Sequence, residues 1–291
     1  MEARKLSETC YVLEGTTNLG VLVDEAGDAW LVDSGADTKT GAEVLAWLHE
    51  RGFRLRAILN THSHADHIGG NHVLQQATGC QIFAPEGELA FVERPELELD
   101  MLYGAPAPAG FHHRIFTADG SRAEGIRTAG LPRGLSLIPL PGHSMDMLGF
   151  RTKDGIVFLA DSVVSEETLR RNALVYAWDM CQAMESLRSI LEMDAAFWVP
   201  SHAEVTESVR PLVMQNLSGL EALQDRILEL CRVPVSHEML LKALLADSGM
   251  RMHPARYVLL SAALRGWLTG LARTDRIRSE LTDAQLVWHC I

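Results

Sequence analysis

Residues 60–70 read Asn-Thr-His-Ser-His-Ala-Asp-His-Ile-Gly-Gly, which sets three histidines and an aspartate within six positions. Histidine is scarce otherwise, with 12 in the whole chain of 291 residues. A packed core excludes such a cluster unless each ring and carboxylate finds a partner, because an unpaired buried polar group costs roughly 2–7 kcal/mol. The segment therefore restricts the chain to folds that deliver partners, or cations, to this one place. His62 and His64 lie two apart, so in extended backbone their side chains project to the same side. Asp66 and His67 follow, where Gly69 and Gly70 are expected to permit a sharp turn.

The flanking sequence places the cluster on a sheet. Residues 29–35 (AWLVDSG) read as a buried strand ending in a glycine turn, residues 41–52 as a helix with Gly52 just past its end, and residues 55–62 as a second strand. Strand, helix and strand at this spacing predict a parallel βαβ unit. The histidines then sit past the C-terminal end of a strand, where open α/β sheets put their chemistry. Further on, residues 71–79 read as a helix and residues 80–85 as a short strand. Residues 86–103 read as a helix with an acidic exposed face. The Pro/Ala/Gly-rich stretch 103–113 reads as a lid or a connector. Residues 135–144, 154–162 and 195–202 read as strands, and Asp179 is placed to cap a helix running to about Met193.

Three of these strand ends carry further donors: His143 in PLPGHS, Asp161 in FLADS and His202 in WVPSH. Imidazole nitrogen and carboxylate oxygen, with no thiolate among them, suit zinc and also iron or manganese. A histidine-rich loop alone is usually a solvated loop; four such signals in one chain point to a metal site.

The ordered set HxHxDH, PGHS, strand-terminal Asp and strand-terminal His resembles the metallo-β-lactamase superfamily of metallohydrolases over roughly residues 10–205. The resemblance implies an α/β fold, a four-layer αβ/βα sandwich with a dinuclear site on one edge. It implies two divalent ions, Zn2+ before Fe or Mn. His62, His64 and His143 would hold the first ion, Asp66, His67 and His202 the second, and Asp161 would bridge both. A hydroxide bridging the ions would be the nucleophile, and Asp66 would also accept a proton from the attacking water. Asp33, in VDSG, matches a family position beside the ligands and would orient one of them, with a structural Asx turn as the alternative. An aspartate at 161 argues against antibiotic hydrolysis. The full donor set looks like glyoxalase II, quorum-quenching lactonases and the nuclease branches.

From Val209 to Cys231 apolar residues recur at helical spacing, Pro234 stops the pattern, and Ser236 caps a short helix to about Ala246. A third helix follows with an apolar stripe at Leu260, Leu264, Trp267, Leu268 and Leu271, and the tail around TDA reads as a hairpin. This predicts a catalytic domain over residues 1–205 and a C-terminal, mainly helical, winged-helix-like domain over residues 206–291. Arg256, Arg265 and Arg273 do not share a helix face, which argues against a DNA recognition helix.

The formal net charge is −12, with 10 Lys/Arg against 9 Asp/Glu from Thr206 onward and 16 against 29 before it. So acidic a body is a poor footprint for duplex DNA. The expected partner is a small molecule; single-stranded RNA and a second copy of the chain stay open as partners. Five dispersed cysteines without a CxxC motif suit free thiols in a reducing cytoplasm. No signal peptide or membrane span is expected.

The first functional expectation is a dinuclear metal-dependent hydrolase acting on a small ester, thioester or lactone. The alternatives are a phosphodiesterase or endoribonuclease on single-stranded nucleic acid, a non-catalytic binding or regulatory module, and an iron persulfide dioxygenase. Substrate-binding residues are not assigned; His112, His113 and Tyr103 are the candidates, and Ser144 is given a turn role.

Overall fold

Consecutive residues of the central strands belong to different cores. Val12, Leu22, Val32 and Leu59 join one buried cluster, whereas their neighbours Leu13, Val21, Leu31 and Ile58 join another. Side chains alternate across a strand, so unbroken apolar runs require a sheet covered on both faces. The computed structural model describes residues 1–127, 131–171, 174–246 and 248–291 and shows two such sheets.

The chain runs β1 (Glu2–Ser7), β2 (Cys10–Glu14), β3 (Leu19–Val23), β4 (Asp28–Val32), α1 (Thr38–Glu50), β5 (Arg54–Leu59), α2 (Ala65–Ile68), α3 (Asn71–Thr78) and β6 (Gln81–Ala84). It continues through α4 (Leu89–Glu93), α5 (Glu96–Tyr103), β7 (Glu124–Gly125), β8 (Ser136–Pro139), β9 (Leu148–Arg151), β10 (Ile156–Val164), α6 (Glu166–Arg171), α7 (Met180–Leu191) and β11 (Phe197–His202). The C-terminal part holds α8 (Arg210–Leu230), β12 (Val235–Ser236), α9 (His237–Leu245), α10 (Pro254–Arg273), β13 (Ile277–Thr282) and β14 (Gln285–Cys290).

Strands β1 to β7 form one sheet in sequential order, antiparallel as far as β4 and parallel from β4 to β7. The second sheet has the order β11-β10-β9-β8. Phe150, Ile156, Phe158 and Val199 of the second sheet pack with Val12, Val32 and Leu59 of the first. The outer face of the first sheet buries Val44, Trp47 and Leu48 of α1 and Leu74 of α3. The outer face of the second buries Met184, Leu187 and Ile190 of α7 with Val213 and Leu217 of α8. Helix, sheet, sheet and helix make the four-layer αβ/βα sandwich.

The same outer cluster runs on from Leu217 through Leu240 to Leu264, Trp267 and Leu271 of α10 and to Ile277, so the C-terminal elements share a core with the second sheet. The caps follow the sequence: Asp179 accepts from Gln182 N at the start of α7, and Ser236 from Met239 N at the start of α9. The final hairpin pairs with β12 in a third, three-stranded sheet of order β12-β14-β13. Its two-residue loop, Asp283–Ala284, has φ of +50° and +62°, the arrangement whose twist suits two neighbouring strands.

Two expectations need correction. Residues 86–103 do not form one helix with an acidic exposed face: α4 and α5 are separate, and Glu88 and Glu98 are buried. Strand β10 does not end at Asp161 but continues to Val164, with its register against β11 slipping on both sides of Ala160, which has φ +49°. Such an irregularity re-aims the side chain beside it without ending the strand.

Candidate metal centre

Strand ends and tight loops bring the seven donor side chains to one edge of the sandwich. His62, Ser63 and His64 link β5 to α2, and Asp66 and His67 lie in α2. His143 sits in the β8–β9 loop, Asp161 follows the irregularity in β10, and His202 ends β11. Around the first three rings, His64 Nδ1 is 3.0 Å from both His62 Nε2 and His143 Nε2. On the other side, His202 Nε2 lies 3.1 Å from Asp66 Oδ2, and His67 Nε2 lies 3.7 Å from the same oxygen. Asp161 stands between the groups. Its Oδ1 is 3.1 Å from His67 Nε2, and its Oδ2 is 3.4 Å from His143 Nε2 and 3.3 Å from His202 Nε2.

The outer nitrogens explain why the rings point inward. Asp33 is buried, with Oδ1 accepting from Thr61 N at 2.8 Å and Oδ2 accepting from Thr61 Oγ1 and His67 Nδ1, each at 2.8 Å. Since Thr61 gives its hydroxyl proton to Asp33, its oxygen is free to accept from His62 Nδ1 at 2.9 Å. One carboxylate thus orients a ring in each half of the cluster. His202 Nδ1 donates to Thr16 O at 2.8 Å. His64 turns its Nε2 toward Glu98 Oε1, 3.4 Å away.

These assignments leave His62 Nε2 and His64 Nδ1 as lone pairs facing each other at 3.0 Å. Two such lone pairs repel unless a cation lies between them. Burial holds the pKa of His64 and of His143 down to about 4, and that of His62 well below the usual range. In the other half burial alone would lower His67 and His202, but Asp161 and Asp66 outweigh it. His67 is raised well above the ordinary range and His202 to about 10. Burial also opposes charge on Asp161 and Asp66, yet their histidine neighbours hold both below the usual carboxylate range. His67 Nε2 and Asp161 Oδ1 are buried without a hydrogen-bond partner among the described residues. Three neutral imidazoles, beside carboxylates that demand positive charge, fit a pair of divalent ions.

The two glycines after the cluster do not serve the turn expected of them. Gly69 and Gly70 have φ of −60° and −88°, which any residue adopts. Their role is close approach. A Cβ on Gly69 would lie 2.3 Å from Ala36 C, and one on Gly70 would lie 2.4 Å from Ser34 O. The loop after β4 is pressed on α2, with Ser34 N donating to His67 O at 2.8 Å, and this contact carries Asp33 to the His67 ring. Gly69→Ala should therefore lower the unfolding free energy of the metal-free chain by about 1–3 kcal/mol, measured by urea titration. An unchanged midpoint would reject the close-approach account. Gly142 is different: its φ is +124°, and a Cβ there would meet Ala183 N of α7 at 2.1 Å. Only glycine lets the His143 loop lie on that helix.

Sequence reasoning missed several contributors. Glu88 receives Ser63 N and Asp146 N and pairs with the Ser144 hydroxyl, tying the loops of His64 and His143 together. Tyr176 is wedged against the His64 and His143 rings, with centroids 5.5 Å from each. Thr61 alone carried a signal, as a hydroxyl residue directly before the first histidine. Of the proposed substrate contacts, His112 and His113 line the cavity beside the cluster, whereas exposed Tyr103 packs on Phe111.

The cluster opens into a groove of about 1270 Å³. The C-terminal part forms one wall of it, with His253, Arg256, Leu259 and Leu260 of α10 and its N-cap. His113 stacks on His253 with ring centroids 4.4 Å apart, which joins that wall to the segment after α5.

The metallo-beta-lactamase superfamily profile matches residues 12–202, and the chain belongs to that superfamily. The hydroxyacylglutathione hydrolase of Methylobacillus flagellatus is 34% identical over 142 residues, 49% of this chain and 46% of that one. The hydroxyacylglutathione hydrolase of Hyphomonas neptunium is 25% identical over 198 residues, covering 67% and 68%. The chain thus spans about half the length of the first of these relatives. Among solved structures, a beta-lactamase domain protein from Burkholderia ambifaria superposes with a TM-score of 0.74 at 18% identity, over 100% of this chain and 94% of that one. A metallo-beta-lactamase family protein from Thermus thermophilus gives 0.73 at 19%, over 99% and 100%. At these identities the likeness establishes the fold, and it includes the C-terminal elements.

Proposed function

We propose that this chain is a dinuclear metal-dependent hydrolase of a small acyl thioester whose leaving group is anionic. The observation that carries the reading is Asp161, whose two oxygens face both halves of the donor cluster at the floor of an open groove. His62, His64 and His143 would hold one ion, Asp66, His67 and His202 the other, with Asp161 shared. The ions, most simply zinc, would supply Lewis acidity and a water acidic enough to act as nucleophile at neutral pH. Asp66 is the half-exposed carboxylate of the set, open to the groove, and is placed to take a proton from attacking water.

The groove wall supports an anionic substrate. Arg114 and Arg256 line it and have no carboxylate partner among the described residues. His113 and His253 spend Nδ1 accepting from Ile115 N and Arg256 N, so each neutral ring keeps an Nε2–H to donate. The names of the hydroxyacylglutathione hydrolases favour a thioester over a lactone or oxygen ester. We assign residues 1–205 to catalysis and residues 206–291 to an accessory part that supplies the α10 wall. Five free thiols, and no helix among the described residues long and apolar enough to cross a membrane, suit the cytoplasm as its compartment.

Zinc-loaded protein tested on glutathione thioesters, coenzyme A thioesters, lactones and an aryl phosphodiester should turn over a thioester fastest. A strong chelator should abolish that turnover. Arg256→Glu should raise KM about tenfold with kcat little changed, the mark of lost uniform binding. Chelator-resistant turnover, or hydrolysis of the phosphodiester alone, would overturn the proposal.

A further inference from the structure

We infer that Glu98 is a positioning residue for the ion held by His62, His64 and His143: it accepts the outer N–H of His64 and fixes which nitrogen that ring turns inward. The inference rests on the metal-binding reading above. His64 presents Nδ1 to the centre, whereas His62, His67, His143 and His202 present Nε2. Its Nε2 therefore points away from the cluster into protein, where Glu98 Oε1 lies 3.4 Å off.

Glu98 borders the cavity beside the cluster, and among the described residues His64 is the polar side chain its carboxylate approaches. The Glu98 side chain is 9% exposed and has no Lys or Arg partner and no completed hydrogen bond among the described residues; its Oε1 approaches His64 Nε2 at 3.4 Å. Burial, with the neighbouring carboxylates of Glu88 and Asp66, pushes the Glu98 pKa well above the usual carboxylate range, so charge on it needs a compensating cation nearby. A buried lone carboxylate is a net cost to folding. That cost is offset if the imidazole it faces shares the charge of a bound ion, because a carboxylate behind a metal-bound ring orients it and raises its basicity. The alternative, that Glu98 merely packs or caps α5, is not supported: its carboxylate accepts no backbone N–H of that helix, and Pro95, not Glu98, stands at the N-cap. Tyr176 holds the other face of the pair, its ring edge-on to both His64 and His143, so the His64 ring is restrained against rotation.

The test compares Glu98→Ala, Glu98→Gln and, as a surface control, Glu96→Gln, by titrating zinc against a chromophoric chelator. Glu98→Ala should weaken one of the two ions by about 10–100-fold and leave the other unchanged. Glu98→Gln, which keeps an acceptor but not the charge, should fall between it and the parent. Cobalt substituted at the weakened site should show a shifted visible absorption band. The metal-free variants should unfold at the same urea concentration as the parent or a higher one, since a buried carboxyl group without a completed hydrogen bond has gone. Equal affinity for both ions in Glu98→Ala, or an affinity loss matched by an equal loss of metal-free stability, would overturn the inference alone. A parent chain that binds no zinc would overturn the metal-binding reading and this inference with it.

Discussion

Asp161→Ala should lower kcat/KM by about 10³-fold, on the order of 4 kcal/mol, and reduce tightly held metal from two ions per chain to one or fewer. The expectation follows from the position of the carboxylate. Its oxygens lie within 3.1–3.4 Å of His67, His143 and His202, so it faces both halves of the cluster. Removing it leaves five imidazoles and the single carboxylate of Asp66 to neutralise two divalent ions, which raises the net charge of the loaded site by one unit. Elemental analysis and steady-state kinetics on the same preparation check both parts. Two ions retained after dialysis, together with turnover within tenfold of the parent, would remove Asp161 from the site.

Asp33→Asn should have the second largest effect, and it should reach both ions. Asparagine keeps the size and tolerates the left-handed backbone at this position, φ +58°, so the backbone is not what changes. The hydrogen bonds are what change. Asp33 Oδ2 accepts from both Thr61 Oγ1 and His67 Nδ1, while Oδ1 accepts from Thr61 N. An amide can satisfy the Thr61 N–H only by turning its NH2 toward two donors. Breaking a fully buried network of this kind costs about 3–5 kcal/mol of stability. Affinity for each ion should also fall about 10–100-fold, because the His67 ring and, through Thr61, the His62 ring both lose their support. Urea unfolding without metal and zinc competition with metal measure the two effects separately. A variant with parental stability and two ions held as tightly as before would show that Asp33 orients neither ring.

The contrast between Asp33 and Glu98 bears on how such a site is written into a chain. Asp33 belongs to the same βαβ unit as the histidine motif, and its sequence context, a buried strand ending in VDSG, marks it as a residue at a strand end. Glu98 belongs to a stretch rich in glutamate that reads as solvated helix surface. Only the packing of α5 against α10 and residues 111–116 turns that residue inward.

What could be read from the sequence by itself was which residues offer imidazole and carboxylate donors, and their order along the chain. Ligand chemistry demands particular residue types, and strand alternation with glycine-bounded ends puts those residues at one edge of a sheet. The buried strand at residues 29–35 was equally local and equally readable, as were the caps at Asp179 and Ser236. The tertiary structure alone decided the rest. Strands β1 to β3 bring Thr16 to His202 through pairings that no local pattern marks. The slip at Ala160 aims Asp161, the close approach of two loops requires Gly69 and Gly70, and α10 supplies a wall of the groove from a stretch of chain well beyond every donor residue. Each of these depends on contacts between segments far apart in the chain. The residue types involved are ordinary at the surface of any helix or loop, and they acquire a role only from what is packed against them.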